Sequence, residues 1–403
     1  MGENAFLERE EGAGKRFIWW SGQELPMSLP NSASQLITRQ DLPVAFDAVI
    51  LSAVEQKAWF AFSLSGGKDS TLSAWAAMSL LDRLGHPRDR RIAIHADLGR
   101  AEWRSTPAMV EEIAARLDVP LAVVRRPAGD MVARWEQRFE SGKARYEALE
   151  TYNLIGPWSS ASLRFCQSEM KATQIGPELV RRFRGETIVS VIGLRREESV
   201  TRRFTPVSRE DHRFAKPGNR AGTHMISWHP LVHWTAAQVF AAHVAHNLPL
   251  HEAYAHYGAG RLSCAFCVLA SLSDIAASTC APGNLDLYRH LVAIEADSTF
   301  SFQPGRWLAD VAPQLLQPSL LRSIHQSKVD AGERRRLESS MPPHLRFVKG
   351  WPPCVPTSDE AAQIATVRST ILRRHGLQNL YPTGADVRAR FGTLLALKDA
   401  RHR

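Results

Sequence analysis

An apolar run, Trp59-Phe60-Ala61-Phe62-Ser63-Leu64, passes directly into Ser65-Gly66-Gly67-Lys68-Asp69-Ser70-Thr71 and then into a helical pattern. That succession calls for a buried strand, a tight turn and a helix. Paired glycines let the backbone take positive φ and approach an anion, and the first N–H groups of the following helix point at it. Ser63, Ser65 and Ser70 bring hydroxyls, Lys68 a positive charge and Asp69 a carboxylate, so the turn reads as a phosphate cradle. It lacks both the four-residue spacer of a Walker A loop and the G-x-G-x-x-G of a dinucleotide turn, so it must hold phosphates differently. A glycine-rich turn with a Ser/Asp helix cap is the bland reading, and the strand-turn-helix setting weighs against it.

The flanking periodicity repeats the unit. Helical spacing covers 44–54 and 71–84, apolar runs at 91–95, 121–124 and 187–192 read as strands, and 107–117 as a helix. Such alternation requires right-handed crossovers and an α/β fold with a doubly wound, Rossmann-like parallel sheet, whose ligands lie at the carboxyl ends of the strands. After about 205 the chain becomes rich in His and Arg, with a helix at 235–247. A Pro-rich connector, Gly350-Trp351-Pro352-Pro353-Cys354-Val355-Pro356, precedes helices at 358–375 and 384–399. The organisation expected is an N-terminal arm (1–44) docking through Trp19-Trp20, a nucleotide-binding α/β domain (45–215), a cysteine-bearing segment (216–300) and a helical C-terminal extension (301–403).

Composition narrows the classes. With 44% hydrophobic and 23% charged residues in 403, the chain is neither disordered nor a disulfide miniprotein. It has no long uncharged apolar run and its start is charged, so a cytoplasmic location and no membrane partner are expected. A net charge of +9 suits phosphate-bearing partners from nucleotides to nucleic acid. Five cysteines, an odd number, argue against a disulfide framework. Cys264-x2-Cys267 can chelate one metal or cluster, leaving an iron–sulfur cluster, zinc and free buried thiols as alternatives, while Cys354 in the connector reads as structural. Arg195, Arg196, Arg202 and Arg203 follow a strand's carboxyl end, where guanidinium forks can take phosphate or sulfate oxygens. Their alternative is a solvated face paired with Glu197 and Glu198. Glu333-Arg334-Arg335-Arg336 reads more readily as a solvated helix face than as a nucleic-acid contact.

In order along the chain, the Ser-Gly-Gly-x-Asp-Ser loop is followed by His95-Ala96-Asp97-Leu98-Gly99, Arg164-Phe165-Cys166 with Lys171, Gly193-Leu194-Arg195-Arg196-Glu197-Glu198-Ser199 with Arg202, Trp228-His229-Pro230-Leu231, His251, Tyr254, and Arg261-Leu262-Ser263-Cys264-Ala265-Phe266-Cys267. This series resembles the adenine nucleotide α-hydrolase (N-type ATP pyrophosphatase) superfamily and, within it, the PAPS-reductase-like family, over roughly 45–300. The resemblance implies that Ser63, Ser65, Gly66, Gly67, Lys68, Asp69, Ser70, His95, Asp97, Lys171, Gly193, Arg195, Ser199 and Arg261 bind the nucleotide. Lys68, Asp69, Arg195 and Arg202 are the implied catalytic groups. ATP with Mg²⁺, or PAPS or APS, is the implied ligand. Cys166 resembles the family's upstream cysteine, and with Cys264, Cys267 and Cys280 completes a four-thiolate set for a 4Fe–4S cluster.

Two departures shift the expected chemistry. The assimilatory reductases' tail motif with its nucleophilic cysteine is missing from Leu395–Arg403, and Cys166 is followed by Gln167 rather than by a second cysteine. The resemblance therefore implies α,β-cleavage of ATP, with sulfur transfer to or modification of DNA or RNA, a sulfur donor such as a cysteine desulfurase, and a setting like that of relatives accompanying DNA-modification or type IV CRISPR systems. Sulfonucleotide reduction is one rival. A non-catalytic ATP-binding module on a nucleoprotein complex is the other.

Overall fold

A computed structural model describes residues 42–401, so the expected arm with Trp19 and Trp20 lies outside the described residues. Helix α1 (Ala48–Glu55), whose first turn is capped by the Asp47 carboxylate, leads into β1 (Trp59–Ser63). There follow α2 (Lys68–Arg83), β2 (Arg91–Asp97), α3 (Thr106–Leu117), β3 (Leu121–Arg125) and α4 (Met131–Glu147). Next come α5 (Thr173–Arg182), β4 (Thr187–Val191), β5 (Ser208–Glu210), β6 (His224–Trp228) and α6 (Ala236–Ala245). The remainder is helical: α7 (Leu272–Cys280), α8 (Leu285–Ser298), α9 (Pro318–Ser340), α10 (Ser358–Arg374) and α11 (Gly384–Arg401).

The six strands form one sheet in the order β3-β2-β1-β4-β6-β5, parallel throughout except for the β5–β6 pair. Successive side chains of β1 serve opposite faces, as the period of two requires. Phe60 and Phe62 pack with Ala74, Ala77 and Leu81 of α2 and Ile113 of α3, whereas Ala61 faces Ile94, Ile188 and Leu179 of α5. Both faces are thus covered and the doubly wound α/β class is correct. Chain direction across the sheet reverses between β1 and β4, so loops after these two strands open a crevice at their carboxyl ends.

Three local results differ from the sequence reading. Helix α2 starts at Lys68 rather than Thr71, because extended Gly67 occupies the N-cap and frees the next residues for the first turn. β5 and β6 were not expected; β6 is only five residues long and carries a Ser between Ile226 and Trp228, which blurs its apolar signal. Arg334 is no surface residue: it is buried, donating to Glu338 and to the Thr299 carbonyl, although Arg335 and Arg336 are exposed.

A second core joins α4 to the later helices, with Trp135, Phe266, Tyr288, Phe302 and Ile324 in contact, and a third joins Phe139 and Tyr146 to α10 and α11. Residues 43–403 form one compact unit. Among the described residues no helix is long and apolar enough to cross a membrane.

Candidate functional site

The loop after β1 is built as the sequence suggests. Gly66 has φ +70°, a conformation that strains any residue with a side chain. No side chain caps α2, so the first helical N–H groups are left for a ligand. Ser70 holds the turn, its hydroxyl donating to the Gly67 carbonyl at 2.9 Å and accepting from the Ser65 N–H at 3.2 Å. Gly193, just past β4, meets this helix end: an added Cβ would stand 2.5 Å from the Asp69 carbonyl oxygen, so only glycine permits the approach.

Around the loop lies a cavity of about 190 Å³ lined by Ser63, Ser65, Ser70, His95, Glu102 and Lys171, together with Gly193 and Cys264. A π-helical turn, Ser168–Ala172, presents Lys171 there. His95, buried at the end of β2, shares its Nδ1 hydrogen with the Leu64 carbonyl at 3.0 Å, and its Nε2 lies 3.4 Å from Glu102 Oε2. That distance is an ion pair without hydrogen-bond geometry, and both atoms lack a hydrogen-bond partner. Burial opposes charge on His95, but Glu102, the Leu64 carbonyl and Asp97 outweigh it and hold its pKa above the usual imidazole value. Glu102 also lines a second cavity of about 590 Å³, bounded by Asp97, Trp103, Arg104, Leu287 and His290.

Several expected site residues sit elsewhere. Lys68 is buried with its ammonium 5.2 Å from the Phe240 ring centroid and 5.1 Å from that of Tyr254, paired with Asp69 at 3.2 Å, and it does not line the smaller cavity. Asp69 receives Arg195 Nε at 2.6 Å on its other oxygen, and Arg195 also reaches Glu197. Asp97 is taken up by Arg125 and the Gly99 N–H, both at 2.6 Å, and faces the larger cavity. Arg202 pairs with Glu198, and its pKa is lowered by burial and by Arg261 and Arg164 nearby. Ser199 is exposed and shares a hydrogen bond with Thr201, and Arg261 is exposed beside the cysteine loop.

Cys166 and Cys264 pack against the same core, and burial first, then Cys267, raises the pKa of each while Lys171 opposes the shift. Cys280 does not join them. It closes α7 with its thiol 3.4 Å from the Ala276 carbonyl of its own helix, exposed to solvent. Among the described residues no group of three or more His, Cys, Asp or Glu is arranged to hold a metal ion. The four-thiolate set is therefore not assembled in this structure. Cys354 is exposed and free.

Sequence reasoning missed Glu102 and Phe240, since nothing local marks a residue whose role depends on packing against a distant strand or loop. His251 was noticed for its place in the motif series, and it braces the loop: the Ala253 N–H donates to Nδ1, leaving Nε2 to donate to Ser105 at 3.1 Å and Thr106 at 3.2 Å. Burial pushes its pKa down to about 4, so it stays neutral.

Comparison with known proteins bears on this geometry. Candida glabrata FMN adenylyltransferase aligns at 17% identity over 58% of this chain and 67% of that chain, with a TM-score of 0.31. Its complex with FMN and the ATP analog AMPCPP aligns at 16% identity over 58% and 70%, with a TM-score of 0.30. No curated protein sequence matches the chain. Residues 60–269, more than half of the chain, match the phosphoadenosine phosphosulfate reductase domain, a span that includes both sides of the crevice and Cys166, Cys264 and Cys267. The chain therefore belongs to the phosphoadenosine phosphosulfate reductase domain family and carries that family's nucleotide-binding domain.

Proposed function

We propose that the protein binds ATP at the β1–β4 crevice and cleaves it between the α and β phosphorus atoms, passing the adenylyl group to an acceptor. The observation that carries the reading is the uncapped α2 N-terminus, fixed by Gly66 and Gly193 at the rim of a cavity that also holds Lys171. At about 190 Å³ this cavity is smaller than a typical small-molecule site and suits phosphates, with the larger space across Glu102 available for the nucleoside. An acceptor oxygen would attack the α-phosphorus and lose its proton, and the bond to the bridging oxygen would break with pyrophosphate leaving on the electron pair. The α2 amides and Lys171 would stabilise the charge growing on pyrophosphate. Glu102 is the only carboxylate among the described residues lining the smaller cavity and is the candidate to receive the acceptor's proton.

The residues do not provide a ready site for the metals expected from the resemblance. Asp69 is held by Lys68 and Arg195, and Asp97 by Arg125, which leaves neither carboxylate free for Mg²⁺. Cys280's separation likewise gives no four-thiolate cage. Cys264 on the cavity wall beside Lys171 nevertheless favours sulfur handling at the activated acceptor. A nucleic acid is the acceptor this reading favours, with sulfur supplied by a donor protein.

The test is product analysis with ATP labelled at the α-phosphorus, in the presence of DNA, RNA and small acceptors. Labelled AMP or adenylated acceptor with pyrophosphate supports the reading. Labelled ADP with phosphate overturns it, and tight ATP binding with no turnover under any condition selects the binding-module alternative.

A further inference from the structure

The turn that follows Arg195 carries side chains that the nucleotide site does not use. Val200 and Phe204 are both 86% exposed, whereas the other aromatics among the described residues are buried far more deeply. Each lies beside arginines. The Arg203 guanidinium stands 5.9 Å from the Phe204 ring centroid, and Arg202 between them feels the positive charge of Arg261, Arg164 and Arg195. Arg164, Arg203 and Arg261 have no carboxylate partner among the described residues. Leu163, next to Arg164, is also exposed. Leu262, next to Arg261, and Gly193, two residues before Arg195, line the same cavity, and the charges of Arg164, Arg195 and Arg261 reach Arg202, which itself pairs with Glu198 and lies near Asp69.

Packing like charges costs free energy unless an anion arrives to share them. An exposed aromatic costs free energy unless something flat covers it. A partner answering both demands must carry repeated negative charge and planar apolar faces. We infer that this surface, formed by Leu163, Arg164, Val200, Arg203, Phe204 and Arg261, binds a single-stranded nucleic acid, with a base stacked on Phe204 and the flanking phosphates on the arginines. The strand would pass the carboxyl ends of β1 and β4, where an acceptor must lie to meet the α-phosphorus. A duplex hides its base faces, so it fits Phe204 poorly. The assignment rests on the reading of the crevice as an adenylylating site.

The experiment is fluorescence anisotropy with a labelled single-stranded oligonucleotide of about a dozen nucleotides, within the usual footprint of one such site. The intact protein should bind it with an affinity that falls with salt, the log–log slope being about −0.7 per phosphate contacted. Phe204→Ala should weaken binding about tenfold and Phe204→Trp should restore it. Arg203→Ala should make the slope shallower by about 0.7. Arg336→Glu, on the exposed face of α9, should change neither. ATP affinity by calorimetry should be the same in all four variants. Absence of oligonucleotide binding at low salt overturns the assignment, as does equal binding by the wild type and Phe204→Ala. Binding abolished by competing polyglutamate at equal charge, with Phe204→Ala unaffected, would point instead to an acidic protein and also overturns it. Intact oligonucleotide binding with ADP as the ATP product would sink the adenylylation reading and leave the surface standing. Pyrophosphate release without oligonucleotide binding would do the reverse.

Discussion

Arginine has opposite duties at the crevice and in the C-terminal helices. Arg334 of α9 is buried, lies 3.7 Å from the Phe300 ring centroid, and donates to Glu338 at 3.0 Å and to the Thr299 carbonyl at 3.1 Å. Arg368 of α10 is buried as well, stacked on Tyr146 at 4.2 Å and donating to the carbonyls of Tyr146 and Thr151. These cations are held inside the fold and present no surface to a ligand. At the crevice the exposed Arg164, Arg203 and Arg261 have no carboxylate partner among the described residues. Whether an arginine is structural or available is therefore decided by what the fold places beside it, and a consecutive run such as Glu333-Arg334-Arg335-Arg336 carries no such information.

The largest expected effect comes from breaking the buried use. Arg334→Ala leaves Glu338 buried without its partner and should cost about 3–5 kcal/mol in urea unfolding. Burial already pushes the Glu338 pKa up against the opposing pull of Arg334, so losing Arg334 moves it further in the same direction. Arg334→Ala combined with Glu338→Ala should recover part of that loss, since the orphaned acid is gone. Arg203→Ala, at the crevice, should change stability by no more than about 0.5 kcal/mol. Similar losses for Arg334→Ala and Arg203→Ala would erase the distinction.

This contrast also explains what could be read from the sequence. The sheet's first four strands and the phosphate turn were legible because they depend on local patterns: an apolar run, paired glycines, a helical period. Gly193 was legible as part of a motif, but the reason for it, that an added Cβ would stand 2.5 Å from the Asp69 carbonyl oxygen, is a meeting of the turn after β4 with α2 across more than a hundred residues. Lys68 was legible as a charge next to the turn, though its position between Phe240 and Tyr254 depends on α6 and the segment after it. The outlying Cys280 shows the same limit: sequence spacing brought it within reach of Cys267, and helix α7 directs it away.

A second buried acid gives the next effect. Glu295 on α8 is fully buried and accepts from the N–H groups of Phe302 at 2.7 Å, Leu308 at 2.8 Å and Ala309 at 3.1 Å. Burial pushes its pKa up from 4.5 to about 7, despite those three donors. Its folded-state pKa is above the unfolded one, so the folded protein holds the proton more tightly and the contribution is fully present below about pH 4.5. As pH rises to about 7 this contribution is lost, at most about 3 kcal/mol. Urea unfolding at a series of pH values should show a wild-type stability falling across that window relative to Glu295→Gln. A parallel pair of curves would show that Glu295 does not titrate there.

At the crevice the expected effects are smaller and appear in ligand binding. Gly193→Ala puts a methyl group against the Asp69–Ser70 backbone, which must shift, so about 1–3 kcal/mol of stability should be lost. The first turn of α2 carries the free amides, so ATP affinity measured by calorimetry should fall along with it. An unchanged affinity in a stable Gly193→Ala protein would mean that the α2 terminus does not hold the phosphates.

The finest comparison lies between two lysines. Lys171 lines the cavity, whereas Lys68 is packed between aromatic rings and paired to Asp69. A charge free to meet phosphate contributes to binding, and one already engaged contributes to the fold. Lys171→Met should therefore weaken ATP binding by about 1–2 kcal/mol and leave the unfolding midpoint unchanged. Lys68→Met removes a cation–π contact and an ion pair, while Asp69 keeps Arg195 at 2.6 Å, so it should cost about 1 kcal/mol of stability with a smaller change in affinity. Calorimetry and urea unfolding on the two variants separate these outcomes. If Lys68→Met instead loses more ATP affinity than Lys171→Met, the Lys68 ammonium must leave its aromatic slot when nucleotide binds. The division between engaged and available cations would then hold for the free protein and shift on binding, with Asp69 passing entirely to Arg195.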